Sequence, residues 1–439
     1  MAAFEIHPNV ADCASRVRRL FSDAASKKID CMLPPPGDSP FREPWDRLLA
    51  LRETPQILSR IDEATLAGLE LQTQLRREFE GSLVRDALAL CELRRQARGK
   101  FTRAAQMWFD RVGLEQATSE PVARHKAQRF RGRQLIADLC CGIGGDTLAL
   151  AQESPVVAWD QNPVACQRAA WNAAIYDIAD RATFRSAGVE EFDPSGWCVH
   201  LDPDRRARGG ARAVRIEDYV PDLEFMRKLM ESSRGGAIKL SPACNFGGKF
   251  PDAEVELVSW QGECKEATIW FGELRESADW RATVLPSGES LAGNPLDYES
   301  CLAEPAQFVF DPDPAVVRAG MVDAAAQQLG LHRLDLQEEY LTGPEPTASP
   351  FVQAFELLAN LPNNATEIRR YFRTSEAGQV EIKCRHVPID AATVRRKLPL
   401  PGHQPYVLIF ARIAGRTRAL VCRRVTCPSA SAAAIGRHL

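Results

Sequence analysis

The stretch "ADLCCGIGGDTLALA", Ala137 to Ala151, decides the fold. It opens as an apolar run of strand character, passes through three glycines and closes as an apolar run of helical length. Glycine has no Cβ and tolerates positive φ. A strand ending at Leu139, a tight turn through Gly142, Gly144 and Gly145, and a helix from about Asp146 therefore bring backbone close to a ligand. A nicotinamide-type fingerprint has its third glycine three residues after the second, and here that position is Thr147. Two acids argue further against a dinucleotide. Asp138 lies in the loop's approach, and Asp160 closes the next apolar run, "PVVAWD", where a carboxylate can accept hydrogen bonds from ribose hydroxyls. Carboxylates repel a pyrophosphate and suit a ligand with a ribose, an amino group and a sulfonium. The bland alternative is a close strand–helix crossing with no ligand, and the company of Asp138, Asp160 and an ordered series of strands counts against it.

Outward from that stretch, short apolar runs alternate with helical stretches from Arg133 onward: "QLIADL", "PVVAWD", "RATFRSA", "WCVHLDP", "GAIKLSP", "EVELVSW" and "EATIWFG". Such alternation predicts a mostly parallel sheet covered by helices. The last two runs, joined by "QGECK", predict an antiparallel hairpin at the sheet edge. Upstream, "CMLPPPGDSPFREPWD" reads as a loop. Beyond it Leu66, Leu69, Leu75, Phe79 and Leu83 recur at three- or four-residue steps or their multiples, so helices are expected up to about Phe130. Downstream, "LPSGESLAGNPLDYES" reads as a linker and "DPAVVRAGMVDAAAQQLGL" as helix, while "QVEIKCRHV" and "PYVLIFARIAGRTRALVCRR" read as strands. The expected division is a helical region over 1–130, the α/β domain of the glycine loop over 131–285, a further α/β domain over 305–425, and a flexible tail over 426–439.

Composition narrows the function classes. The 439 residues allow roughly two to four domains, and a formal charge of −3 gives no overall pull towards polyanions. "MAAFEIHPNV" lacks a basic n-region and an apolar h-region, and no run of about eighteen apolar residues occurs, so neither secretion nor a membrane span is expected. The 13 cysteines show no zinc-type spacing, so no metal is expected, and reduced thiols in a cytoplasm are the plain reading.

With these residues in view, the sequence resembles the class I S-adenosylmethionine (SAM) methyltransferases. "DLCCGIGGDTLALA", "AWDQNPVACQRAAWNAAIYDIADRATF" and "ATSEPVARHKAQRF" resemble the trimethylguanosine synthase group of RNA methyltransferases. The whole chain is similar to bacterial methyltransferase-like proteins that end in a THUMP-like domain, through "GLEQATSEPVARHKAQRF", "LDPDRR", "EATIWFGEL", "RAGMVDAAAQQLGL", "EYLTGPEP" and "VEIKCRHV". The resemblance implies a Rossmann-like seven-stranded methyltransferase sheet with an N-terminal helical region and a C-terminal α/β THUMP-like domain. It implies that Asp138, Gly142 and Gly144 line the methionyl part of SAM and that Asp160 meets the ribose, with Thr118, Cys140 and Gln161 joining the donor-binding set. Related enzymes often carry an Asp after the third strand for the adenine amine. Here Gly188 stands at that place, and Glu190 or a backbone N–H is left to substitute.

Ligands of open α/β sheets sit beyond the carboxyl ends of the strands, which puts Asp202, Pro203, Asp204 and Arg205 of "HLDPDRRARGG" beside the donor methyl. Methyl transfer from a sulfonium is an in-line displacement. Alignment supplies up to about 7–11 kcal/mol in favourable cases, and a carboxylate accepting a hydrogen bond or proton from the nucleophile adds about 10²–10⁴-fold. Asp202 is the candidate for that role. Exocyclic-amine methyltransferases usually carry Pro-Pro-aromatic after the acid; this chain has Pro203, Asp204 and Arg205. Arg205 could stack on a base or hold a phosphate, or belong with Arg206 and Arg208 to a solvated basic loop. The runner-up chemistry uses Cys244 of "KLSPACNFGG" as a thiolate nucleophile, as in pyrimidine C5 methyltransferases, against the plainer reading of an inert buried thiol.

Two basic zones bear on the substrate. From Cys91 to Arg133 eleven Lys/Arg face four Asp/Glu, with Phe101, Trp108, Phe109 and Phe130 interspersed; from Leu361 to Arg424 thirteen face four. Either zone suits a phosphate backbone, and either could be a solvated or acid-paired face. The reading that results is a SAM-dependent methyltransferase acting on a base in tRNA or rRNA. A non-catalytic RNA-binding protein on the same scaffold, and a methyltransferase of a small molecule or protein, are the alternatives.

Overall fold

The computed structural model describes residues 34–64, 68–205 and 215–425. The readings made at Leu66, Arg206 and Arg208 and over 426–439 lie outside the described residues. The chain divides into two compact units, residues 1–253 with 268–276, and residues 254–267 with 277–439.

In the first unit β1 (Ile136–Leu139), β2 (Val156–Asp160), β3 (Ala182–Ser186), β4 (Cys198–Leu201) and β5 (Gly235–Leu240) are joined by parallel ladders. In sequence β6 (Glu254–Trp260) and β7 (Glu263–Gly272) follow, and the end of β7, from Thr268, lies beside β5. The order β3-β2-β1-β4-β5-β7 reverses direction between β1 and β4, which is where an open α/β sheet leaves its ligand crevice. All residues of β1 and β4 are buried, as expected for parallel strands covered on both faces. The helix Gly145–Glu153 is buried nearly all round, and Pro163–Ile175 starts on Asn162, whose Oδ1 accepts from the amides of Val164 and Ala165 at 3.0 and 3.3 Å.

The helices Arg42–Glu53, Pro55–Asp62 and Gly81–Ala97 put Trp45, Leu48, Ile57 and Val84 into the same core as Ile136, Leu148 and Trp171. The apolar period read through this region corresponds to more than one helix. Five residues separate the helix Gly68–Leu75 from the next, which begins at Gly81, and Leu69 is 76% exposed. Only Leu75 of the described set is buried; Phe79 and Leu83 pack partly against the core.

In the second unit the passage read as a linker holds β8 (Trp280–Leu285) and β9 (Glu289–Gly293). β6 pairs in parallel with β8, and β8 antiparallel with β9, so two strands lie beyond the β6–β7 hairpin that was expected at an edge. Polar side chains hide this hairpin from a hydropathy reading: Thr283 donates to Glu256 at 2.6 Å and Arg281 to Glu254 at 2.6 Å.

Seven further strands follow in the same unit: β10 (Phe308–Pro312), β11 (His332–Arg333), β12 (Leu341–Gly343), β13 (Val352–Pro362), β14 (Ala377–Cys384), β15 (Gln404–Ile413) and β16 (Arg416–Arg424). They form a sheet of order β11-β12-β10-β13-β16-β15-β14, antiparallel except for β14 with β15. Side chains of β15 alternate between two cores. Val407, Ile409 and Ala411 join Val309 and Phe355 on one face, while Tyr406, Leu408 and Phe410 join Ile368 and Phe372 on the other. The second face is covered by helices Ala365–Arg373 and Ala391–Lys397, whose Val394 packs on the same core.

Candidate active site

The turn after β1 is held in an unusual backbone path. Cys140, Gly142 and Gly144 have φ of 62°, 54° and 89°, and at Cys140, which has a side chain, that conformation is strained. The two glycines differ in their surroundings. A Cβ on Gly144 would lie 3.1 Å from the Cβ of Ala169, so this glycine lets the helix Pro163–Ile175 cross closely. A Cβ on Gly142 would meet nothing within 4 Å, so the backbone there faces open space.

Carboxylates ring this turn. Asp160, at the end of β2, accepts from the amides of Gly142 and Asn162, both at 2.8 Å, yet burial raises its pKa above the usual carboxylate value. Asp138 is fully buried. Its ladder partner on β4 is His200, whose Nδ1 lies 2.7 Å from one carboxylate oxygen, and Thr147 donates its hydroxyl to the other. Both oxygens of Asp138 are therefore engaged inside the fold. Burial pushes the Cys140 thiol well above its ordinary pKa, and Asp160, Asp202, Asp138 and Asp204 push it further. The open space at Gly142, with these acids near it, is the candidate hollow for a ligand.

Beneath the turn, Asp146 opens the helix Gly145–Glu153. Its oxygens lie 3.0 Å from Lys126 Nζ, 3.9 Å from His200 Nε2 and 4.0 Å from Lys239 Nζ, and one accepts from Thr118 Oγ1 at 2.6 Å. Burial pushes the Asp146 pKa up, but Lys126, His200 and Lys239 outweigh it and hold the carboxyl well below the usual range.

Just beyond β4, Asp202 is half-buried and its Oδ2 accepts from Lys239 Nζ at 2.7 Å. The same ammonium donates to the carbonyl of Gln116 at 3.1 Å, and the Gln116 amide donates to Asp204 Oδ1 at 2.8 Å. One residue of the N-terminal helical region thus braces both acids of the Asp-Pro-Asp corner. Burial raises the Asp202 pKa, Lys239 opposes that, and Asp146 adds to it. Asp204 is exposed and bridges to Val220 through the backbone; Pro203 is buried and Arg205 half-buried.

The remaining expected residues fall in different settings. Gln161 is exposed after β2, and Thr118 is buried against Asp146 rather than open to the hollow. Glu190 is exposed after β3, and a Cβ on Gly188 would lie 2.6 Å from its carboxyl, so Glu190 folds back over the space an Asp would fill at Gly188. Cys244 is 1% exposed, its sulfur 3.2 Å from the Tyr219 hydroxyl, so a base has no access to it. Lys126, His200, Lys239 and Gln116 were not singled out from the sequence. His200 and Lys239 did leave a signal, each being the polar interruption of an otherwise apolar strand, "WCVHLDP" and "GAIKLSP".

The strand order and the glycine turn at its reversal point make this a Rossmann-like sheet whose crevice suits the methyltransferase class named by its sequence. Comparison with known proteins agrees. Residues 133–228 match the model of the RNA cap guanine-N2 methyltransferase family, and residues 352–424 match the THUMP domain-like family. Two Mycobacterium tuberculosis relatives, from strains CDC 1551 and H37Rv, are named uncharacterized S-adenosylmethionine-dependent methyltransferases. Each is 33% identical over 349 residues, covering 75% of this chain and 94% of the relative. A putative methyltransferase from Porphyromonas gingivalis W83 shares the fold, with a TM-score of 0.70 at 18% identity over 85% of this chain and 98% of that one. The chain belongs to the S-adenosylmethionine-dependent methyltransferases, with a THUMP-like domain in its C-terminal part.

The residues present fit that donor. Its net positive charge suits Asp160 beside the open space at Gly142, with Asp202 and Asp204 following the end of β4.

Proposed function

We propose that the chain methylates a base in RNA, tRNA or rRNA, with Asp202 orienting the acceptor. The observation that carries this reading is Asp202 itself, half-buried at the carboxyl end of β4 and fixed by Lys239 at 2.7 Å, next to the acidic hollow. In this reading S-adenosylmethionine supplies a methyl group on a sulfonium. Asp160 accepts from the ribose, Gly142 and Gly144 with Cys140 and Asp138 form the floor beneath the methionyl part, Gln161 flanks it, and Thr118 acts from behind by holding Asp146. Glu190, folded over Gly188, takes the place of the Asp that meets adenine. Asp202 accepts a hydrogen bond from the acceptor and then its proton; Pro203 fixes the corner, and Asp204 and Arg205 contact the substrate. Residues 131–285 form the donor-binding domain and 305–425 the THUMP-like one. The setting is cytoplasmic, in keeping with cysteines that are all free among the described residues.

The test is mass spectrometry of nucleosides from total RNA of a strain lacking the gene. A missing methylated nucleoside identifies the product; an unchanged set, with that RNA also failing to accept tritiated methyl from S-adenosylmethionine in the presence of the purified protein, refutes the RNA reading. Asp202→Ala is expected to keep donor binding and lose turnover, and Asp160→Ala to weaken donor binding.

A further inference from the structure

Two basic zones stand out in the sequence, and the structure treats them differently. In the zone from Cys91 to Arg133 most charge is consumed internally. Arg103 pairs with Asp177, Arg124 with Glu120, Lys126 with Asp146, Arg131 with Glu153 and Arg133 with Glu273. Its aromatics Phe101, Trp108, Phe109 and Phe130 are all buried in the core, so none is available to stack on a base.

In the C-terminal zone Arg370, Lys383, Arg385 and Arg424 are paired with acids, and a second set of cations is not. Helices Ala365–Arg373 and Ala391–Lys397 lie on one face of the seven-stranded sheet, because Ile368, Phe372 and Val394 share a core with Tyr406, Leu408 and Val421. Arg423 belongs to that face by strand alternation from Val421, and its guanidinium lies 5.9 Å from the Tyr406 ring. Arg369, Arg373, Arg396, Lys397 and Arg423 are exposed, and none makes an ion pair with a described residue. Arg369 and Arg373 are one helical turn apart, about 6 Å along the axis. Interaction with a helix dipole accounts for a cation or two in a last turn, but not for Arg369 or for Arg423 on the adjoining strand.

We propose that this two-helix face of the C-terminal unit, through Arg369, Arg373, Arg396, Lys397 and Arg423, is where the RNA phosphate backbone docks. The inference rests on the RNA reading above and assigns the contact to this face, not to the N-terminal basic zone. Five exposed cations without an ion-pair partner or an aromatic reading head bind backbone rather than sequence, so the face holds RNA while selectivity resides elsewhere.

The test measures binding of full-length protein to unfractionated bacterial tRNA and rRNA across salt. Five phosphate contacts on a single strand give a log–log slope of about −3.5, so affinity falls on the order of a hundredfold between about 50 and 200 mM salt. The variant Arg369→Ala/Arg373→Ala/Arg396→Ala/Lys397→Ala is expected to bind at least about tenfold more weakly, with a slope near −1, while its donor affinity and melting temperature stay at wild-type values. Arg111→Ala/Arg131→Ala, in the N-terminal zone, is expected to bind RNA as wild type. If wild type binds RNA and the fourfold variant binds equally well, the face is wrong and the RNA reading survives. If wild type itself binds no RNA, the RNA reading falls and the face with it. Competition by polyglutamate as effective as by RNA assigns the face to an acidic protein segment and overturns the proposal.

Discussion

Lys239→Met removes the cation bonded to Asp202 while keeping a stem of similar length. Lys239 Nζ lies 2.7 Å from Asp202 Oδ2 and 4.0 Å from Asp146 Oδ2, and its side chain is mostly buried. At an effective dielectric of about 20, the bare attraction at the shorter distance is about 6 kcal/mol. Desolvation offsets part of it, and breaking a buried pair costs about 3–5 kcal/mol in folding stability. The same loss acts on titration. Burial already raises the Asp202 pKa, Lys239 lowers it and Asp146 raises it, so removing Lys239 moves it further up. A charge at this distance is worth about 1–3 pKa units. A carboxylate that receives a proton must first be ionised, so the acid limb of the rate–pH profile is expected to shift to higher pH by that amount. The assay is the initial rate of tritiated methyl transfer to RNA from the gene-deleted strain, measured from mildly acidic to mildly alkaline pH. Lys239→Arg, which keeps the charge, is expected to return the limb most of the way. A rate lowered by one factor at every pH, with no displaced limb, would refute the electrostatic role of Lys239.

Lys126→Met removes a fully buried ammonium 3.0 Å from Asp146, and a loss of about 3–5 kcal/mol is expected in denaturant unfolding. A variant as stable as wild type would show that the pair contributes nothing net. Gly144→Ala places a Cβ 3.1 Å from that of Ala169 at a φ of 89°, and about 1–3 kcal/mol of destabilisation is expected. The same change at Gly142, where the Cβ meets open space, is expected to cost less stability and more donor affinity, as read by melting and calorimetry.

The sheet was readable because parallel strands buried on both faces leave short apolar runs, and those runs became β1 to β7. The hairpin of β8 and β9 was not, because it carries a buried Thr283 and a half-buried Ser290, which bond to each other at 2.7 Å and look like loop residues in a one-dimensional reading. β13 escaped for another reason: along "VQAFELLANLP" apolar and polar residues do not alternate, and a bulge at Leu357 to Ala359 shifts its register. At the site, acids at strand ends were legible from position. Their partners were not, since Lys126 stands in a basic run that reads as surface and yet is 2% exposed. A charge count does not say which cations meet acids from distant parts of the chain, and that pairing alone separates the N-terminal basic zone from the C-terminal one.

The carboxylates of the site divide into two kinds, and pH should resolve them. Burial raises the pKa of Asp160 in spite of its two amide donors, whereas Asp146 is depressed because Lys126, His200 and Lys239 outweigh its burial. For Asp160 the folded state binds the proton more tightly than the unfolded state, whose pKa is about 3.9. Its contribution to stability is therefore full below that value and is lost as pH rises through the raised folded pKa. For Asp146 the sign is opposite: its contribution is present above about pH 3.9 and is lost as pH falls towards the depressed folded pKa. Without donor, wild type is accordingly expected to gain stability relative to Asp160→Asn as pH falls from neutral to about 4, and to lose stability relative to Asp146→Asn below that. The donor carries net positive charge and favours ionised Asp160, so its affinity for wild type is expected to weaken over the same mildly acidic window. Thermal melts of the three proteins with and without S-adenosylmethionine decide the matter. Parallel curves for wild type and Asp160→Asn from neutral pH to about 4 would mean that burial does not control this carboxylate, and the account of the acidic hollow as a receptor for positive charge would fail with it.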